Sequence, residues 1–292
     1  MPNSDNTKPL FLTTKEVADL LRVKERKVYD LAAANEIPHR RITGKLLFPV
    51  EAIRTWVDGP DNPPGNDRPN VLAGSHDPLL DWAIRASGCG LATLCNGSHD
   101  GLTRFQSGAA TASGLHLPEQ AGWNISAVSN AGLVNSVLIH WAVRKRGLLV
   151  ASGTNDGIRS MADLKGRRVA MRQPGAGAAL LLTRLLTEAG LSEGDLDLSR
   201  DQAHTESDAA AAVAAGDVDA SLGIEAMARQ FKLAFIPLVD ESFDLLIDRK
   251  SYFTEPLQKL FAFSETTSFR DKADSLGGYD MKDLGTVRWL SD

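Results

Sequence analysis

The chain has 292 residues, 43% of them hydrophobic, a formal net charge of −5 and a mean hydropathy of −0.17, the balance of a globular protein long enough for two domains. No apolar run approaches the roughly 20 residues that a membrane-spanning helix needs, so no membrane partner is expected. The amino terminus has no apolar stretch behind a basic one, which excludes a secretory leader pattern and predicts a cytoplasmic protein.

Cys89 and Cys95 are the two cysteines, and they predict buried thiols rather than a disulfide or a metal site. No metal and no bound cofactor is expected. Charge is unevenly spread: residues 1–58 hold ten Lys and Arg against eight Asp and Glu, and the remainder holds 22 against 29. The basic excess therefore lies at the amino end.

Thr13-Thr14-Lys15-Glu16-Val17-Ala18-Asp19-Leu20-Leu21 is a threonine cap followed by apolar residues at helical spacing. After a break at Val23, Lys24 to Ala32 forms a second helix with Val28, Leu31 and Ala32 on one face. Lys24, Arg26, Lys27 and Tyr29 fall mostly on the other. Two short helices and a tight turn are the helix-turn-helix plan. His39 to Phe48 then reads as a hairpin about Thr43-Gly44, and Pro49 to Val57 as a closing helix carrying Ile53, Trp56 and Val57.

The run Leu-Thr-Thr-Lys-Glu-Val-Ala-Asp-Leu-Leu, then Val-Tyr-Asp-Leu, Glu-Ile-Pro and Ile-Arg-Thr-Trp-Val, resembles the excisionase-type winged helix-turn-helix family. The resemblance covers residues 1–58 and implies binding to double-stranded DNA. It places Lys24, Arg26, Lys27 and Tyr29 on the recognition helix and Arg40, Arg41 and Lys45 on the wing. Gly59 to Asn70 has no apolar residue and several prolines, and reads as a linker.

Beyond the linker the phrase Gly-Ser-His-Asp occurs twice, at 74–77 and 97–100. Each copy follows an apolar run that reads as a buried strand (Val71-Leu72-Ala73 and Leu91 to Cys95) and precedes a helical pattern. Two parallel strands would so deliver Ser75 and Ser98 to the first turns of two helices, where free N–H groups and the helix dipole favour an anion. Arg168 to Met171, the turn Gln173-Pro174-Gly175-Ala176-Gly177 and a helix over 178–189 repeat the architecture, so three helix starts are expected to face one small ligand.

Val137 to Val143 and Gly147 to Ala151 read as two strands, with Arg144-Lys145-Arg146 an exposed turn between them; the alternative is a positive contribution to an anion site. Gly153 to Gly157 reads as a hinge, Thr205 to Ala215 as an alanine-rich helix, and Asp219 to Ile224 as a strand entering a helix at Glu225. Phe235 to Val239 and Phe243 to Ile247 read as two late strands.

This order, with Asp-Leu-Lys-Gly-Arg-Arg-Val-Ala-Met-Arg-Gln-Pro-Gly-Ala-Gly at its centre, resembles the type II periplasmic-binding-protein fold, closest to molybdate and tungstate receptors. The resemblance covers 71–292 and implies an α/β domain of two lobes, one at 71–150 plus about 245–292, the other at about 151–244. It implies hydroxyl donors at Ser75 and Ser98, and backbone donors at Gly175, Ala176, Gly177, Ile224 and Glu225. No tyrosine can be assigned to the site. His76 and His99 are expected to face solvent at capped helix starts; the alternative is that they line the pocket.

Joined to the DNA-binding unit, this implies a homodimeric or higher-order transcriptional regulator that senses molybdate or tungstate and is not an enzyme. The alternatives are a sensor of another small anion such as formate, and an enzyme of molybdenum-cofactor or phosphate-ester metabolism.

Overall fold

The computed structural model describes residues 10–291 apart from 22, 35, 43, 51, 54–55, 57–67, 154–156 and 200. The linker expected at 59–70 falls largely outside the described residues, as do positions 51, 54, 55 and 57 of the closing helix expected at 49–57 and the centre of the hinge at 153–157. The chain divides into two compact units, Met1–Asp67 and Arg68–Asp292.

In the first unit, β1 (Phe11–Leu12) leads into α1 (Thr14–Leu21) and α2 (Glu25–Ala33), followed by β2 (Arg40–Ile42) and β3 (Lys45–Pro49). The start of α1 is fixed reciprocally: Thr13 donates to Glu16 Oε2 through its N–H at 2.7 Å, while Glu16 N–H donates back to Thr13 Oγ1 at 3.3 Å. β2 and β3 form the hairpin, turning at Gly44 with φ +80°. Val17, Ala18, Val28, Ala32, Ile37, Phe48 and Ile53 bury its core.

The second unit is built on one ten-stranded sheet. Its elements are β4 (Val71–Gly74), α3 (Pro78–Ser87), β5 (Ala92–Cys95), α4 (Ser98–Gln106), β6 (Ala112–Leu115) and β7 (Ser136–Val150). There follow β8 (Arg168–Ala170), α5 (Gly177–Glu188), β9 (Asp197–Leu198), α6 (Glu206–Ala215), β10 (Ala220–Ile224), α7 (Glu225–Phe231) and β11 (Ala234–Asp248). The chain ends in α8 (Glu255–Ser264), α9 (Thr267–Leu276), β12 (Tyr279–Asp280) and β13 (Val287–Leu290). Strand order is β9-β8-β10-β7-β11-β6-β4-β5, with β12 and β13 also pairing with β7.

β4, β5 and β6 are parallel to one another, as are β8, β9 and β10, while β7 pairs antiparallel with β10, β11 pairs antiparallel with β6, and β7 and β11 pair antiparallel with each other. Each three-stranded group anchors a lobe with its own core: Leu72, Leu79, Phe243, Leu257 and Phe269 in one, Leu148, Leu164, Val169, Leu181 and Leu222 in the other. The boundary between lobes falls inside β7 and β11, which cross from one to the other.

Three expectations need correction. Arg144-Lys145-Arg146 is no turn: β7 runs unbroken for 15 residues, with Arg144 1% and Arg146 0% exposed, because buried carboxylates meet both guanidinium groups. The two late strands are likewise the single 15-residue β11, whose Glu241 is fully buried opposite them. The strand over Leu91–Cys95 is not buried throughout: β5 is the sheet edge, and Leu94 is 45% exposed.

Candidate functional site

The carboxyl ends of β4, β5 and β6 in one lobe point at those of β8 and β10 in the other, the place where α/β sheets bind ligands. Ser98 is the first residue of α4, as expected. Ser75 is not in a helical turn: α3 begins at Pro78 with Asp77 as its cap, because the aspartate takes the Leu80 N–H at 2.7 Å and proline suits the first helical position. Ser75 lies instead in the extended link, its N–H donating to Gly114 O at 2.8 Å.

The two hydroxyls nevertheless meet. Ser75 Oγ and Ser98 Oγ are 2.8 Å apart and buried, and Ser98 Oγ accepts the His116 N–H at 3.1 Å. The bond between the serines uses one hydroxyl hydrogen, which leaves the pair a second to donate.

Facing them is the turn into α5. Gly175 has φ +80°, Ala176 caps the helix and Gly177 opens it. His99 N–H donates to Gly175 O at 3.4 Å, and a Cβ on Gly177 would stand 2.4 Å from His116 O, so the lobes touch with no space for a side chain there. Ala176 N–H is taken by Gln173 O at 3.2 Å. Among the described residues none accepts the Gly177 N–H.

The structure thus brings Ser75, Ser98, Gly175, Ala176 and Gly177 together. Ile224 pairs with Arg146 in the sheet, and the Glu225 carboxylate is held along its own helix by Arg229 at 2.6 and 2.9 Å. Neither has a hydrogen bond to the serine pair. His99 is exposed, whereas His76 is half-buried with its Nδ1 enclosed and unpartnered.

The larger surprise is a buried ionic ladder. Arg144 donates to Asp77 Oδ2 at 3.0 Å and, through two nitrogens, to Glu241 Oε1. Arg146 donates to Glu241 Oε2 at 2.5 Å and to Glu206 Oε1 at 3.0 Å, and Arg172 reaches the same Glu206 oxygen at 2.9 Å. His116 Nδ1 meets Glu241 Oε2 at 2.9 Å, and Tyr279 OH donates to Asp77 Oδ2 at 2.8 Å. The ladder therefore runs from the start of α3 in one lobe to the start of α6 in the other.

Its titrations follow from burial and pairing. Burial works against the Glu206 charge, yet Arg146 and Arg172 outweigh it and hold the carboxyl at about 2. Glu241 is held well below the usual range: Arg144, Arg146 and His116 override its burial. Burial lowers His116 despite Glu241, and burial together with Asp77 raises Tyr279. The sequence signal for the ladder is the in-out-in alternation of Arg144-Lys145-Arg146. Its acidic partners lie up to 97 residues away and give no local sign.

On the first unit, Lys24, Arg26, Lys27, Tyr29, Arg40, Arg41 and Lys45 are all exposed. Tyr29, Arg41 and Lys45 line one groove of about 500 Å³ between α2 and the hairpin. Arg26 and Lys27 lie on the side of α2 away from buried Val28 and Ala32. No helix among the described residues is long and apolar enough to cross a membrane.

A PBP superfamily domain matches residues 82–265, and a helix-turn-helix domain matches residues 11–59. The uncharacterized protein YvgK of Bacillus subtilis (strain 168) is 25% identical over 299 aligned positions, covering 94% of this chain and 96% of the relative. Among solved structures, a Clostridium perfringens substrate-binding protein with bound phosphate aligns at TM-score 0.54 and 11% identity, over 75% of this chain and 99% of that one. Prochlorococcus marinus PhnD1 in complex with methylphosphonate aligns at 0.51 and 12%, over 75% and 92%. At such identities the likeness is one of fold.

Proposed function

The chain belongs to the PBP superfamily, and from that premise we propose that it is a one-component regulator: its helix-turn-helix unit binds operator DNA, and its two-lobed domain senses a small tetrahedral oxyanion. The observation that carries the ligand class is the pair of buried hydroxyls at 2.8 Å, set between the starts of α4 and α5. Hydroxyls and helix-start amides are neutral donors that hold an anion without fixed countercharge. Ser75 and Ser98 bind oxygens from one lobe, and the Gly177 amide does so from the other.

Candidate ligands are molybdate and tungstate, from the sequence resemblance, and phosphate and phosphonate, carried by the two structural neighbours. Lys24, Arg26, Lys27 and Tyr29 contact DNA from the recognition helix, and Arg40, Arg41 and Lys45 from the wing. A homodimer matches a palindromic operator and doubles these contacts. The ligand alters DNA affinity by favouring one arrangement of the lobes over another.

Thermal unfolding of the full chain with molybdate, tungstate, phosphate, methylphosphonate, sulfate and formate at equal ionic strength tests the ligand class, since a ligand of the folded state raises the midpoint. The true ligand then changes DNA affinity in the wild type. Ser75→Ala with Ser98→Ala weakens its binding by roughly tenfold or more, the worth of a hydrogen bond to a charged group. An unchanged affinity in the double variant removes the serines from the site.

A further inference from the structure

His116 stands where three parts of the cleft meet. Its backbone N–H donates to Ser98 Oγ at 3.1 Å, its Nδ1 meets Glu241 Oε2 at 2.9 Å, and its ring stacks on Phe243 with centroids 6.0 Å apart. On its other side is the first residue of α5: a Cβ on Gly177 would lie 2.9 Å from His116 Cε1 and Nδ1. The side chain is 3% exposed, so solvent screens it little.

The charged groups facing this ring are Glu241 from β11 and Arg144 and Arg146 from β7. The starts of α4 and α5 present Ser98 and Gly177, which carry no charge. Beyond them, the fixed charges of the ladder cancel: Asp77, Glu206 and Glu241 against Arg144, Arg146 and Arg172. A dianion on the serine pair would bring two negative charges into a region that has no cation to spare. Helix starts contribute only about half a charge each.

Imidazole is the side chain that changes charge near neutral pH. Three histidines are near the cleft. His99 is exposed, where water screens its charge, and His76 has no hydrogen bond to the ladder. His116 alone is buried in it. Glu241 can only accept, so Nδ1 carries the hydrogen of the neutral ring and Nε2 is the position left to protonate.

We infer that His116 matches the charge of the cleft to that of its oxyanion, taking up a proton on Nε2 when a dianion occupies the Ser75–Ser98 pair. The inference rests on the oxyanion reading above. Its sign follows from the two protonation states: the empty cleft keeps the ring neutral, the filled cleft makes it a cation, and between the two titration points each binding event consumes a proton. Affinity therefore falls by about tenfold for each pH unit gained in that window, and flattens on either side of it.

Calorimetric titration of the full chain with molybdate and with sulfate, across about pH 5.5 to 8.5 and in buffers of different ionisation enthalpy, reads this directly. Methylphosphonate is titrated in parallel, with its own ionisation subtracted. The expected result is uptake of about one proton per anion bound, lost in His116→Gln and kept in His76→Gln and His99→Gln. Anion binding with no proton uptake at any pH overturns the inference and leaves the oxyanion reading intact, as does uptake that persists in His116→Gln. Failure of all three probes to bind overturns both.

Discussion

Four helix starts converge on the cleft, and they are treated in two ways. At α3 and α6 one of the protein's own carboxylates stands at the start: Asp77 caps α3, while Thr205 caps α6 and Glu206 is its first residue, and arginines from β7 bind both carboxylates. The starts of α4 and α5 are left to Ser98 and Gly177, and the acid in the first turn of α4, Asp100, is turned along its helix to Arg104 at 2.7 Å. The same backbone feature, the positive end of a helix dipole, carries an arginine-paired acid in one pair and no acid aimed into the cleft in the other. A charged cleft is thus not evidence of an anion site by itself, since its charges here are mutually spent.

The sharpest way to break the filled pair is Glu241→Gln. This leaves Arg144 and Arg146 buried without their shared carboxylate, and a stability loss of about 3–5 kcal/mol is expected in denaturant unfolding. A loss below about 1 kcal/mol would place the ladder in contact with water.

Acid should act on the same pair more gently. Glu206 titrates at about 2 in the folded chain, below its ordinary 4.5. A depressed carboxyl stabilises the fold above its unfolded pKa, and that contribution is lost as pH falls from 4.5 towards 2. Glu241, lowered in the same direction, adds to the loss. Unfolding midpoints measured down that range should drop, and the drop should shrink in a Glu206→Gln variant.

For the open pair, Gly177→Ala forces a methyl against His116 O, where the Cβ would be 2.4 Å away. Overpacking of this kind costs about 1–3 kcal/mol. Because the clash lies between the lobes, it should appear chiefly as weaker anion binding in the thermal-shift series. The smallest effect is expected in the other unit. On the proposed DNA-binding face, Lys27→Ala should lower the slope of log affinity for DNA against log salt by about one, the change expected for the loss of one phosphate contact, leaving anion binding unchanged.

The sequence made some of this legible because some of it is local. The cap at Thr13, the periodicity of Val17, Val28 and Ala32, and the repeated Gly-Ser-His-Asp are read within a turn or two of the chain. The 23-residue spacing of Ser75 and Ser98 is one strand-plus-helix unit, so their meeting could be foreseen. What defeated the reading was long-range charge pairing. Arginine at alternate positions looks like a solvated turn until its partners are known, and Glu241 and Glu206 come from distant segments. Tyr279, 202 residues from Asp77 in sequence, likewise carried no local sign of its place beside the cleft.

The two crossing strands carry one more consequence, for how the molecule can be taken apart. β7 and β11 each give one half to the sheet of one lobe and the other half to its neighbour, with paired residues from Ser136–Asp248 at one end to Val150–Ala234 at the other. A cut that separated the lobes would leave each fragment with half of its central strands and no way to complete them. The lobes are therefore not heritable pieces that could be shuffled singly into another protein. The domain must be copied, folded and melted as a whole, while the unit ahead of it has its own core and can be exchanged for another.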